Sequence, residues 1–229
     1  MPNVLAHINA AHAILYAPSP DEVLGNVLPD FRGMYLDSTK DRVDVEIDSL
    51  SVALDRGIQL HKRIDRIFNL QSETLEMTTS LTKDFMKAGI KPQAARMGAH
   101  MLADVMPDGA LLRDSQTVEE YQILREYVLD EETALHDGYF PPEFTEYVCK
   151  FFDRDVVKSY RDPERLAAIV QHRLENRARK PKDKRTRTIP LAQIPALAEV
   201  IDLRTNRIHH LGTAALTRTI EIAEASYDF

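Results

Sequence analysis

The stretch Leu54-Asp55-Arg56-Gly57-Ile58-Gln59-Leu60-His61-Lys62-Arg63-Ile64-Asp65-Arg66-Ile67 decides the fold class. Its apolar residues, Leu54, Ile58, Leu60, Ile64 and Ile67, recur at helical rather than alternating spacing, with charged residues between them. Upstream, Val43, Ile47 and Leu50 continue the rhythm, so Val43 to Leu70 reads as one or two consecutive helices. The same spacing runs through almost the whole chain, and alternating strand patterns are nearly absent. The expected fold is all-α, a single compact multi-helix domain.

Working outward, Asn3 to Tyr16 is expected to form a first helix with Leu5, Ile8, His12 and Leu15 on one stripe. Ser19-Pro20-Asp21-Glu22 is a capping-box pattern with proline at the first helical position. It opens a helix carrying Val23 and Val27, which Pro29 is expected to kink or end, leaving Asp30 at a terminus. Ser72 is expected to cap a helix reaching about Ala88 and stopped by Gly89, and Pro92 to begin one ending near Met106-Pro107-Asp108-Gly109. Further helices are expected at roughly 117–136, 141–158 and 162–179, then a terminal helical region from Leu191 to Ser226 with a candidate break across Asn206 to Gly212. Residues 1–179 thus form the main helical domain, 180–190 a basic loop, and 191–229 an extension packing on the same domain.

With 44% hydrophobic and 28% charged residues, the composition is that of a globular protein rather than a disordered or fibrous one. No apolar run reaches the roughly 20 residues needed to cross a bilayer. The stretch Met1 to His7 lacks the basic region of a secretory signal, so a cytoplasmic location and no membrane partner are expected. Cys149 is the only cysteine, which excludes a disulfide framework and a thiolate zinc cage. It reads as a small core residue rather than a nucleophile.

The net charge of −7 conceals a basic run, Arg173 to Arg187, with eight Lys or Arg against Glu175 and Asp183. Such a run is either a solvated loop or a docking patch for an acidic partner, with Arg173, Arg177, Arg179 and Lys180 its leading residues. Nucleic acid is not expected, because the run lacks interleaved aromatics and the remaining surface is acidic.

Any metal site must therefore use His, Asp and Glu. His61 and Asp65, four apart, project from one helix face and can reach one cation, and His100 and Asp104 repeat the spacing. An ordinary intrahelical ion pair has the same spacing; two such pairs beside apolar stripes can converge if their helices pack. Such a ligand set suits Mn, Fe or Zn, and a carboxylate-rich pocket also admits Mg. A bound ion there would polarise a phosphoryl oxygen and activate water. His7 and His12, about 140° apart around a helix, cannot easily share an ion. Of the two, His7 is the better candidate and His12 reads as a core residue. The adjacent His209 and His210 read as surface residues. Arg32, Arg56 and Arg63 are candidates for binding phosphate.

Three motifs in order, Asn3-Val4-Leu5-Ala6-His7, Gly25-Asn26-Val27-Leu28-Pro29-Asp30-Phe31-Arg32-Gly33 and Gly57 to Asp65, resemble the acyl-carrier-protein phosphodiesterases. Ser159-Tyr160-Arg161-Asp162 through Leu174 to Arg179 is similar to that family's Tyr-Arg-Asp helix, and the resemblance spans roughly residues 3–179. It implies an HD-phosphohydrolase-like helical fold and removal of 4′-phosphopantetheine from holo acyl carrier protein, an acidic partner, with Mn or another divalent ion. It further implies Asp30, His61 and Asp65 as the catalytic, ion-holding residues, joined by Asp104, His100 and His7, with Arg32, Arg63 and Arg161 on the substrate. Two departures stand out: Phe68-Asn69 replaces the family's Thr-Asp, and His100 to Val105 replaces its Asp-x-x-Trp-Asp-His. These departures keep two other readings open, a non-catalytic helical protein binding an acidic partner and an HD-like hydrolase of another phosphoester such as a nucleotide.

Overall fold

The computed structural model describes residues 3–38, 45, 51–130, 133, 135–178 and 188–226. Among these, every regular element is helical: α1 (Val4–Ile14), α2 (Pro20–Ser38), α3 (Val52–Phe68), α4 (Ser72–Lys87), α5 (Pro92–Leu111), α6 (Ser115–Leu129), α7 (Pro142–Asp153), α8 (Pro163–Ala178) and α9 (Ile194–Ala225). Two short 3-10 segments, Val156–Arg161 and Leu191–Gln193, precede α8 and α9. None of these helices is long and apolar enough to cross a membrane.

The signals read from the sequence act much as their chemistry requires. Ser19 N–H donates to the Glu22 carboxylate at 2.8 Å, and Glu22 N–H to the Ser19 hydroxyl at 3.3 Å, closing the capping box. Gly89, at φ 85, takes the left-handed conformation after α4 that a side chain would resist. Ser51 caps α3 by accepting from Leu54 N–H. The expected helical residues Ile47 and Leu50 lie outside the described residues.

Several boundaries differ. Pro29 lies inside α2, so Asp30 is a mid-helix residue rather than a terminal one. Proline there removes the bond to the Gly25 carbonyl, but α2 continues because its buried face is held by α3. Pro107 likewise lies inside α5, which runs on to Leu111. Ser72 sits within α4, whose N-cap is Gln71. The expected break across Asn206 to Gly212 does not occur, since α9 is continuous through it.

Two packing arrangements position the site. First, α1 is buried nearly all round (Val4, Leu5, Ala6, His7, Ile8, Ala10, Ala11 and Ile14), so it is a core helix rather than an amphipathic one. It touches α2, α3, α5, α6 and α9. Second, α2 and α3 cross with backbone against backbone. A Cβ on Gly57 would lie 2.1 Å from the Glu22 carbonyl oxygen, and one on Gly25 would lie 2.3 Å from that of Leu54. Only glycine permits that approach. Across the crossing, Arg56 donates to Glu22 at 2.9 Å. The 32-residue α9 closes the molecule against α1, α3, α4, α5 and α8.

Candidate metal centre

The close crossing of α2 and α3 sets Asn26 and Asp30 against His61, one turn beyond Gly57. The His61 ring is buried, and its Nδ1 lies 2.8 Å from the Asn26 carbonyl oxygen. A carbonyl only accepts, so Nδ1 carries a proton, and Nε2 is the nitrogen turned toward the site, where it would offer a lone pair to a cation in the neutral ring. A backbone partner on the outer nitrogen is the usual way a protein orients a ligating imidazole.

His7 enters from α1, fully buried. Asn26 ties it in place, its side-chain amide donating to the His7 carbonyl at 2.7 Å. The rings of His7 and His61 stack, with centroids 4.1 Å apart and planes 22° apart. Neither ring nitrogen of His7 makes a hydrogen bond of good geometry among the described residues. Buried polar atoms are seldom left this way unless a ligand completes them.

Asp30 completes a group. One ligand atom from each of His7, Asp30 and His61 lies within 4.8 Å of the others. Asp30 also accepts from Asn3 N–H at 3.3 Å, which joins α2 to the start of α1. Asp65 faces both imidazoles from the solvent side, 3.4 Å from His7 Nε2 and 3.2 Å from His61 Nε2, with 43% of its side chain exposed.

Burial pushes the Asp30 carboxyl up, against the lowering charges of His61 and His7. Burial works in the same direction on Asp65, but the side chains of His61 and His7 outweigh it and hold the carboxyl far below the usual range. Burial lowers His61, yet the contact with Asp65 and the charge of Asp30 raise it on balance. Two stacked imidazoles and two carboxylates form a donor set suited to a borderline divalent cation.

A family model described as acyl carrier protein phosphodiesterase matches residues 3–198. The chain belongs to the acyl carrier protein phosphodiesterase family. No curated protein and no solved structure matches it. The segments Asn3 to His7, Gly25 to Gly33 and Gly57 to Asp65 each supply one member of this group, His7, Asp30 and His61, in this phosphodiesterase-family fold.

Other residues expected at the site of this family member are placed elsewhere. His100 is exposed and Asp104 half-buried on α5, and neither joins the group of His7, Asp30 and His61. One turn further, Asp108 is fully buried and accepts from Leu5 N–H at 3.1 Å and Ala6 N–H at 2.8 Å. It caps α1 from another helix, which holds His7 in register. Burial pushes its carboxyl well above the usual range against those backbone donors. Sequence reasoning missed Asp108 because Pro107 and Gly109 read as a helix end. The only signal was the four-residue spacing from Asp104.

Arg32 donates from Nε to the Val45 carbonyl at 2.6 Å, and Arg63 donates to Ser226 at the end of α9. Arg161 is exposed beside His209, whose ring is lowered first by burial and then by the charges of Arg113 and Arg161. His209 is thus buried against Gly109, not a surface residue as expected, while His210 is exposed. His12 is not in the core either; its Nδ1 lies 3.4 Å from Glu120 at partial exposure. Arg173, expected as a docking cation, is largely buried and 3.5 Å from Asp37. The side chain of Arg177, and Arg179 and Lys180 with the rest of the basic run to Arg187, lie outside the described residues. Cys149 is half-buried near His136, and burial pushes its thiol up, away from the reactive thiolate.

Proposed function

We propose that the protein hydrolyses the phosphodiester joining 4′-phosphopantetheine to a serine of acyl carrier protein, using a divalent cation, Mn foremost, held by His7, Asp30 and His61 with Asp65. One observation carries the reading. In a chain of this family, ligand atoms from three helices meet within 4.8 Å, and His7 is fully buried with Asp65, at 3.4 Å from its Nε2, as its one charged neighbour given among the described residues. A cation held there would supply the polarisation of a phosphoryl oxygen and the activation of water that such hydrolysis requires.

The chain's own residues set the geometry. The Asn26 carbonyl holds His61 in the tautomer whose Nε2 faces the site, and Asn26 and Asp108 hold His7 beside it. Asp65, ionised and at the solvent edge, is placed to orient water toward phosphorus. In the reaction the bond between phosphorus and the serine oxygen breaks. Water supplies the oxygen to phosphorus and the proton to serine.

Docking of an acidic carrier is favoured by the outer face of α3. There Lys62, Arg63 and Arg66, with Ile67, Leu70 and Ile222, line a surface groove. Opposite charge steers such encounters and sets their salt dependence. Arg32, Arg63 and Arg161 are proposed to act on the phosphate or the carrier, with His100 and Asp104 outside the cation's immediate ligands.

The test is the mass of holo acyl carrier protein after incubation with the protein and Mn. Loss of the phosphopantetheine mass is expected, and its absence with Asp30→Ala and His61→Ala. A carrier left intact by the unaltered protein at every divalent ion tried would refute the reading.

A further inference from the structure

Gly109, near the end of α5, meets a buried imidazole from α9. A Cβ added there would lie 2.9 Å from His209 Nε2 and 3.2 Å from the Tyr160 carbonyl oxygen, so α5, the 3-10 segment before α8, and α9 close on one point. His209 is only 9% exposed, and neither of its ring nitrogens has a hydrogen-bond partner among the described residues. An imidazole buried in that state is costly and is seldom kept without a purpose.

Two cations flank this point. Arg161 follows Tyr160 directly, and Arg113 lies just past the end of α5, four residues on from Gly109. Both side chains are exposed, and both charges act on the His209 ring. Elsewhere on the surface, Arg204, Arg207 and Arg218 each face a carboxylate, Asp84, Glu76 and Glu73 in turn. Neither Arg113 nor Arg161 has such a partner among the described residues. The carboxylates nearest in sequence are committed to other groups: Asp108 accepts from the Leu5 and Ala6 N–H groups, and Asp162 from those of Glu164 and Arg165. Two guanidiniums therefore stand over a buried imidazole with no protein anion to balance them.

We propose that Arg113 and Arg161 form, over His209, a binding site for a small-molecule phosphate monoester. A dianion balances two fixed positive charges, and its three terminal oxygens suit two planar forks of donors better than a single carboxylate does. His209 adds a third, switchable positive charge behind them, and Gly109 leaves the room its ring occupies. The site shares no residue with His7, Asp30 and His61 and stands whether or not the carrier is cleaved. On the function proposed above, it gives Arg161 a terminal phosphate, which the scissile diester lacks and the released arm carries.

Inorganic phosphate, titrated into the full chain in EDTA so that no divalent ion takes part, is the probe. Calorimetry is expected to show saturable binding, and the ring signals of His209 in nuclear magnetic resonance to move with the same dissociation constant. Arg113→Gln and Arg161→Gln should each weaken binding by at least about tenfold, the worth of a hydrogen bond to a charged group. Both side chains are exposed, so the melting temperature of either variant should match that of the unaltered protein. His61→Ala should leave phosphate affinity within about twofold, because its ring is no part of this site. The proposal is overturned by an absence of saturable binding below about 10 mM phosphate. It is equally overturned by binding that survives both arginine substitutions, by His209 signals that do not respond, or by binding that His61→Ala abolishes.

Discussion

His61 shows how much one side chain depends on its partner. Its Nδ1 is occupied by a backbone carbonyl that no substitution removes, which leaves Nε2 as the atom a cation would take. His61→Ala and Asp30→Ala are therefore expected to weaken Mn binding by at least about a hundredfold in calorimetry, beyond the 10- to 100-fold typical for supporting residues. His100→Ala should change it by less than about twofold, because His100 is exposed and outside the group. A large loss with His100→Ala would show that the ligand set includes α5. The pair His61 and Asp65 was legible in the sequence, because four-residue spacing puts both on one helix face. The identical spacing of His100 and Asp104 was equally legible and led elsewhere. Along α5 the stripe passes from exposed His100 through half-buried Asp104 to buried Asp108, so the carboxylate that matters for α1 lies one turn deeper.

At the scale of elements, the α2–α3 crossing governs the centre. Gly57→Ala would bring a methyl group against the backbone of Glu22, Asn26 and Gly25, none of which can swing aside. It is expected to cost about 1–3 kcal/mol by forcing the helices apart. The same separation should lengthen the His61 to Asn26 bond and lower Mn affinity. Gly33→Ala, where a Cβ meets nothing within 4 Å, should instead stabilise α2 by roughly 0.5–1 kcal/mol. Urea midpoints of the two variants check both signs. The attachment of α1 is a second lever. Asp108→Asn keeps the size but turns an amide donor toward the Leu5 and Ala6 N–H groups, at an expected cost of about 1–3 kcal/mol. An unchanged urea midpoint would show that the cap contributes little.

For the whole molecule, a cation held as proposed by α1, α2 and α3 would bind only the folded chain and would therefore stabilise it. Mn at about 100 times its dissociation constant is expected to add about 2.7 kcal/mol. For a domain of this size that raises the melting temperature by roughly 5–10 °C. The rise should vanish with EDTA and be absent in His61→Ala. A melting temperature indifferent to divalent ions would mean that His7, Asp30 and His61 are a structural cluster.

The sequence by itself determined the helical class, the capping box at Ser19, the stop at Gly89 and the motif segments that reveal the family. Each of these is a local property, set by periodicity, capping chemistry or residue order. It also pointed to His7, Asp30, His61 and Asp65 before any contact was visible. Only the tertiary structure decided that Pro29 and Pro107 lie within helices, that α9 runs unbroken, that Asp108 rather than His100 or Asp104 serves α1, and that Arg173 is tied to Asp37 inside a cavity wall. Periodicity tells which residues share a helix face. It does not tell how that face is turned toward its neighbours, which here depends on backbone contacts at Gly25 and Gly57 between residues 29 to 35 positions apart.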